Sequence, residues 1–289
     1  MLVYVNHADY ISRDKSDMKE RKNISRLQVQ YIIKKFRIRI TGTFEVRSSG
    51  LVDIKGSLKL TGNKIFRLPL KFGNVTGDFN CKGNGLKTLK GSPRFVGGSF
   101  NCSDNQLTTL VEGPDYVGVN YFCQDNKLTS LNGCPVEIVG EFNCAVNSLK
   151  SLKYGPKRVG KSFYAHHNML KTLISSPAFV GGSFHVAANL LFNLEDCPDI
   201  IGLDFHLDCW IPSLYMGLKN CHVGGVKIEC LERMDNNSSS ILPELILSNQ
   251  KSLTIQFKYA RYLEIWDING FLNFENLNDI LFDIDQGLM

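Results

Sequence analysis

Histidines and carboxylates recur near residue 200 at a spacing that could bring them together. His185 and His206 are 21 residues apart, and Asp204 and Asp208 flank the second histidine. Imidazole and carboxylate groups bind metals such as zinc and serve as general acids and bases. The sequence supplies no residues that would orient such a group, and it contains no HExxH motif, nucleophile elbow or glycine-rich phosphate loop. We therefore predict no catalytic residue, no metal and no cofactor.

The cysteines show the same spacing. The chain has nine of them, and four, Cys81, Cys102, Cys123 and Cys144, lie 21 residues apart. No CxxC pair occurs, and the first residues do not read as a signal peptide, because no basic segment leads into a long apolar core. Free thiols in a reducing compartment are therefore expected. Ligands arranged in a line do not converge on a metal, so we interpret these thiols as small apolar side chains stacked in a core.

Both spacings belong to a 21-residue repeat, which is the main feature of the sequence. An aromatic residue recurs without a slip, and Leu58 extends the series one step back: Phe79, Phe100, Tyr121, Phe142, Phe163, Phe184 and Phe205. We call these eight positions, Leu58 included, the anchors. The eight units that begin at the anchors cover residues 58–225.

Other residue types keep a fixed distance from the anchor. Cysteine or another apolar residue follows two positions later, asparagine five, leucine seven and ten, proline fourteen, and valine or isoleucine seventeen positions later. One such unit cannot bury its own apolar side, so neighbouring units must stack. Because alternate residues of a strand face opposite sides, the anchor and the cysteine should both point inward. The asparagine should bond backbone groups of adjacent coils where the chain turns away from the strand.

The repeat predicts a mainly β solenoid of 21-residue coils with a parallel sheet, covered at both ends by caps. Residues 1–57 predict an N-terminal cap of helix and short strands. The helix is expected over residues 13–35, and its buried stripe should be Leu27, Val29, Ile32, Ile33 and Phe36.

Residues 226–289 predict a mixed C-terminal cap. This segment contains a polar loop at 235–240, an alternating run from Leu253 to Phe257, and apolar residues at helical spacing from Leu277 to Leu281.

The side chains that alternate with the inward-pointing residues should cover the outer face of the sheet. A group of them combines aromatic, imidazole, amide and carboxylate side chains: Phe122, Glu141, Asn143, Tyr164, His166, His185 and His206. Aromatic side chains on a rigid sheet are good anchors for a protein partner, so we predict that these seven residues bind one. The alternative is that they are cross-strand neighbours that only stabilise the sheet.

Charge is spread unevenly over the chain, whose formal net charge is +5. Residues 1–47 are basic and residues 241–289 are acidic. No apolar run is long enough to span a membrane, so no membrane contact is expected. No stripe that interleaves basic and aromatic residues is visible along the chain, so nucleic acid is not expected as a partner. The basic N-terminal segment is the one candidate for such binding.

The unit reads F-x-C-x-x-N-x-L-x-x-L-x-x-x-P-x-x-V-G-G-x and resembles a leucine-rich repeat, whose core is L-x-L-x-x-N-x-L. It differs in its aromatic and cysteine positions and in a short glycine-rich return segment that leaves no room for a full helix. The stretch from Gly98 to Leu110 resembles leucine-rich-repeat-like proteins encoded by tailed bacteriophages, as does the lead-in from Val52 to Phe79. The resemblance implies leucine-rich-repeat-like coils and a viral origin.

Three hypotheses for the function follow. The first is a non-enzymatic module that binds a bacterial host protein through the sheet face, in the cytoplasm of the host if the chain is viral. The second is a structural protein of the virion or of its assembly. The third is an enzyme or effector activity in the C-terminal segment, where Cys230 is the candidate nucleophile. The sequence favours the first hypothesis and leaves the partner and the oligomeric state open.

Overall fold

A computed structural model describes residues 24–62, 64–217, 219–229 and 242–289 of the chain. It confirms the predicted repeat solenoid, which is a parallel-sheet β-solenoid of about eight turns of roughly 21 residues. Each anchor lies opposite the next one along the chain, as Phe142 does between Tyr121 and Phe163. The repeat period therefore sets the register of the sheet.

Most coils contribute two short strands on either side of a glycine-rich turn. The first row, the anchor ladder, contains β4 (Phe79–Asn80), β6 (Phe100–Asn101), β8 (Tyr121–Phe122), β10 (Phe142–Asn143), β12 (Phe163–Tyr164) and β14 (Phe184–His185). The second row, the return ladder, contains β3 (Phe72–Val75), β5 (Phe95–Val96), β7 (Tyr116–Val117), β9 (Glu137–Ile138), β11 (Arg158–Val159) and β13 (Phe179–Val180). The sequence predicted one parallel sheet, and the return ladder adds a second row of strands to it.

Longer strands join the two rows at the ends. β2 (Val52–Lys59) pairs with both β3 and β4, and β15 (Ile200–Asp208) pairs with both β13 and β14. Beyond them, β1 (Arg39–Val46) is antiparallel to β2, and β16 (His222–Glu229) is parallel to β15.

The predicted inward residues form the core. From Phe79 to Phe205 the anchor rings make a continuous column whose neighbouring centroids are 5.0 to 5.8 Å apart. The four cysteines two positions after their anchors are fully buried and free. Burial raises the pKa of the Cys81 thiol to about 12, so this group stays protonated and behaves as an apolar side chain.

The asparagine column bonds the coils to one another as predicted. Asn105 donates to the carbonyl of Cys81 in the preceding coil and to the carbonyls of Cys102 and Ser103 in its own coil. Its side-chain oxygen accepts from the N–H of Leu86. The side-chain oxygens of Asn126, Asn147, Asn168 and Asn189 accept from the equivalent N–H groups. One side chain per coil thus satisfies backbone groups that two coils would otherwise leave unpaired.

Gly118 must be glycine, because the backbone of the preceding coil lies too close to it for a side chain. A Cβ atom at Gly118 would lie 2.1 Å from the carbonyl oxygen of Gly97 in the preceding coil. No side chain fits in that space, because the obstacle is backbone and cannot rotate away.

The N-terminal cap contains α1 (Arg26–Lys35), whose first turn is capped by Ser25. The predicted residues 13–23 lie outside the described part of the chain. Val29 is fully buried, but Leu27 is 76% exposed, so its placement in the buried stripe was wrong. Val29 is two positions after Leu27, and two steps of about 100° turn the two side chains about 200° apart on the helix.

The C-terminal cap is helical, with α2 (Glu244–Ser248), α3 (Leu253–Lys258), α4 (Ala260–Leu263) and α5 (Phe274–Asp285), and a 3-10 turn at Gln250–Ser252. The alternating run that begins at Leu253 forms α3, and α5 buries Leu277 and Ile280 as its spacing predicted. Cys209, in the turn after β15, is disulfide-bonded, so the expectation of free thiols was wrong at that position. Cys230 and the predicted loop at 235–240 lie outside the described residues.

Candidate functional site

We call the solvent side of the anchor ladder the ladder face. It is formed by the residues one before, one after and three after each anchor. Three predicted residues that directly follow their anchors lie side by side on it, because Tyr164 pairs with His185 and His185 with His206 across neighbouring strands. The ring centroids of Tyr164 and His185 are 4.6 Å apart, and those of His185 and His206 are 3.8 Å apart. Both pairs are stacked, so this row presents ring edges to solvent.

His166 completes a cluster of four rings. It lies three positions after its anchor and meets Tyr164 and His185 edge-on, at centroid distances of 6.2 and 6.3 Å. We call Tyr164, His166, His185 and His206 the ring cluster. The sequence placed these four residues on one face, and the structure brings them into contact.

The remaining predicted residues lie beside the ring cluster, on the coils before it. Asn143 pairs with Tyr164 on one side and with Phe122 on the other, so it separates the two aromatic side chains. The side-chain oxygen of Asn143 accepts a 3.0 Å hydrogen bond from the N–H of Ala145. Phe122 is half-buried rather than fully exposed. The predicted site is therefore one strip, with a ring cluster at one end and a single phenyl group at the other.

A second polar ladder, not predicted from the sequence, runs along the position before each anchor. Asp78 accepts from the N–H of Ser99, Ser99 from that of Asn120, and Asn120 from that of Glu141. Ser162 and Ser183 continue the ladder in the later coils. The recurrence of serine, aspartate and asparagine before the anchor could have revealed it, because short polar side chains bond nearby backbone.

Glu141 interrupts this second ladder. No hydrogen bond joins its carboxylate to the N–H of Ser162 among the described residues, although the equivalent bond forms on the coils before it. Glutamate is one methylene longer than aspartate, so its carboxylate extends past the backbone group. Glu141 is half-buried and lies in the coil before that of Tyr164, and its carboxylate is not used by the ladder.

Ion pairs form at the end of the strip where His206 lies. Two of their members, Lys227 and Glu229, were not among the residues predicted for the site. The ammonium of Lys227 lies 2.6 Å from the carboxylate of Asp204. His206 Nδ1 lies 3.6 Å from Glu229 Oε1, and His206 Nε2 lies 4.0 Å from Asp204 Oδ2. β16 supplies both missed residues, because it extends the register by one more strand.

Two histidines of the ring cluster, His166 and His185, are held neutral. Partial burial, then the proximity of His206 and His166, lowers the pKa of His185 to about 4. Burial, with His167 nearby, also lowers the pKa of His166. An uncharged imidazole carries one hydrogen-bond donor and one acceptor. The strip therefore offers fixed, neutral hydrogen-bonding edges near pH 7.

Asp208, considered above as a possible metal ligand, has another role. It is buried and accepts hydrogen bonds from the N–H groups of Ala188 and Asn189. In the described parts of the chain, no group of three or more histidine, cysteine, aspartate or glutamate side chains is arranged to hold a metal ion.

No protein-family model, no curated protein and no solved structure matches this chain. Among the helices that the structure describes, none combines the length and the apolar character that a bilayer crossing requires.

Proposed function

We propose that the chain is a non-catalytic binding module that holds a protein partner on the ladder face. If the chain is phage-encoded, as the sequence resemblance implies, that partner is a bacterial host protein. The ring cluster is the single observation that carries the proposal, because Tyr164, His185 and His206 stack in register on three adjacent strands.

Pre-organisation supports binding by this strip. The stacked rings are half-buried and held by a hydrogen-bonded sheet, so they lose little conformational freedom when a partner docks. His185 is neutral near pH 7, so burying it does not require removing a charge from water. Tyrosine is also among the residue types that dominate binding energy at protein interfaces.

Glu141 defines what the partner should present. Its carboxylate is not used by the polar ladder, and it lies in the coil before that of Tyr164. A lysine or arginine of the partner opposite this carboxylate, beside groups that hydrogen-bond the ring edges, would complement the strip.

The proposal is tested by comparing what three tagged proteins retain from bacterial lysate: the natural chain, Phe122→Ala with Tyr164→Ala, and a matched control. The control is Phe66→Ala with Phe192→Ala, which removes two exposed aromatic rings away from the ladder face. We expect a host protein that the natural chain and the control retain and the ladder-face variant loses, measured by quantitative mass spectrometry.

Equal retention by all three proteins would contradict binding at the ladder face. Recovery of virion proteins, or of the chain itself as a multimer, would instead support a structural role in assembly.

A further inference from the structure

A second surface of the solenoid carries a row of lysines. It is formed by the residues six to twelve positions after the anchor in five consecutive units, at 85–91, 106–112, 127–133, 148–154 and 169–175. We call this surface the basic flank. It contains one carboxylate, Glu112, and six lysines: Lys87, Lys90, Lys127, Lys150, Lys153 and Lys171.

Backbone hydrogen bonds hold these segments in register. The N–H groups of Lys127, Ser148 and Met169 donate to the carbonyls of Leu107, Leu128 and Leu149, each in the preceding coil. The leucines seven and ten positions after the anchor are buried, whereas all six lysines are exposed. Residues 21 apart in the chain therefore form one strip, roughly 19 Å long at about 4.8 Å per coil.

The lysines of the basic flank have no acidic partner. None of the six forms an ion pair within the described residues, whereas Lys227 on the ladder face pairs with Asp204 at 2.6 Å. Lys219, in the last of the eight units, likewise pairs with Asp199 at 2.8 Å. A row of six lysines with a single carboxylate among them attracts a polyanion.

Other side chains of the basic flank suit phosphate and base contacts. Ser151 and Thr172, nine positions after their anchors, alternate with the lysines and can donate hydrogen bonds to phosphate oxygens. Tyr154 is 54% exposed, and its ring lies 5.0 Å from the ammonium of Lys153. An exposed ring beside a cation is a surface on which a base can stack.

The first coil carries further cations, some of them at ladder-face positions. Arg37, Arg39 and Lys59 line a cleft of about 350 Å³ together with Thr61 and Gly62. The chain then continues from Gly62 to two further exposed cations, Lys64 and Arg67, at positions equivalent to those of the basic flank.

We propose that the basic flank binds the phosphate backbone of a nucleic acid without reading its sequence. Lysine is depleted in protein–protein interfaces, whereas lysine and hydroxyl side chains are frequent partners of phosphate. This proposal departs from the expectation that nucleic acid is not a partner, which rested on stripes along the chain and not on the column of lysines on this side of the stacked coils. It does not depend on the ladder face binding a protein, because the two surfaces share no residue.

The test measures how binding to the full chain depends on salt concentration, with fluorescence anisotropy of the labelled probe as the readout. The probes are a single strand of about 20 nucleotides, a duplex of about 20 base pairs and a polyglutamate of similar charge, between about 50 and 200 mM salt. The variant is Lys127→Gln with Lys150→Gln and Lys153→Gln. The control, Lys82→Gln with Lys251→Gln and Lys258→Gln, changes the net charge equally and lies outside the basic flank.

We expect the natural chain and the control to bind nucleic acid with a steep salt dependence. The flank variant should bind roughly tenfold or more weakly, and its log–log salt slope should fall by about two to three. A preference for the single strand or for the duplex would identify the form of the ligand.

Three results would overturn the proposal: no binding at about 50 mM salt, equal weakening in the flank variant and the control, or equally tight binding of polyglutamate. Circular dichroism of both variants would establish that any loss occurs in a folded protein.

Discussion

Two columns of side chains, on the same coils and in the same register, have different roles. The asparagines five positions after the anchor hold neighbouring coils together, as Asn126 does by donating to Cys102 and accepting from Leu107. The residues one position after the anchor face solvent. The asparagines there accept only local hydrogen bonds, from the residue two positions ahead, as Asn101 and Asn143 do. Tyr164, His185 and His206 stack on one another instead.

The contrast indicates that one column serves stability and that the other is free to serve a function. A column that satisfies backbone groups between coils cannot vary without loss of stability. A column whose bonds are local can exchange asparagine for tyrosine or histidine at little structural cost. We infer that the column after the anchor is where this solenoid acquired a site, and the following predictions test that difference.

The largest loss of stability is expected from a substitution in the core. Leu128→Ala should lower the free energy of unfolding by about 2–5 kcal/mol, because Leu128 is fully buried and the coils above and below it cannot fill the cavity. Denaturant titration measures this loss. A loss well below about 1 kcal/mol would contradict the assignment of this repeat position to the core.

The second-largest effect is a difference in stability between substitutions in the two asparagine columns. Asn126→Ala leaves the buried N–H of Leu107 without a partner. It also removes one of the two asparagine donors to each of the carbonyls of Cys102 and Cys123, so we expect a loss on the order of 2 kcal/mol. Asn143→Ala removes one local bond and should cost about 1 kcal/mol or less. Equal losses in the two variants, measured by the same titration, would remove the distinction between the columns.

A smaller effect should appear with pH at the ring cluster. The pKa of His185 is about 4 in the folded chain, against about 6.5 when unfolded. Between these values the unfolded chain takes up a proton that the folded chain does not, so stability is complete above about pH 6.5 and falls toward pH 4. The ring is half-exposed, which limits the loss to about 1 kcal/mol.

His185→Gln should remove this part of the pH dependence while leaving the carboxylate contribution in place. Unfolding free energies of the natural chain and the variant at several pH values give the comparison. Identical slopes over this range would contradict the depressed pKa.

The register of the solenoid could be predicted because a period of 21 places like residues on top of one another. Buried anchors, cysteines and the asparagine ladder all follow from that period. The return ladder was harder to predict, because its strands span two residues in most coils and show no alternation of their own. The alternation from Leu253 to Phe257 misleads because Leu253 and Phe257, four residues apart, also lie on one face of α3.

The candidate site could be predicted as a set of residues but not as an arrangement. Chain order places Tyr164, His185 and His206 in one column, yet only the strand pairing shows that their rings stack. Lys227 and Glu229 were missed because the repeat motif fades after Trp210, although β16 keeps the register. Glu141 stands out only once the hydrogen bonds of its column are known.

The most direct test of the ladder face is calorimetric titration of the captured partner into the double variant Phe122→Ala with Tyr164→Ala, together with the unfolding free energy of that variant. We predict that the affinity falls at least about tenfold, because two aromatic contacts are lost. The unfolding free energy should change by about 1 kcal/mol or less, since both rings lie outside the core. Unchanged affinity in the stable variant would contradict binding through the ladder face.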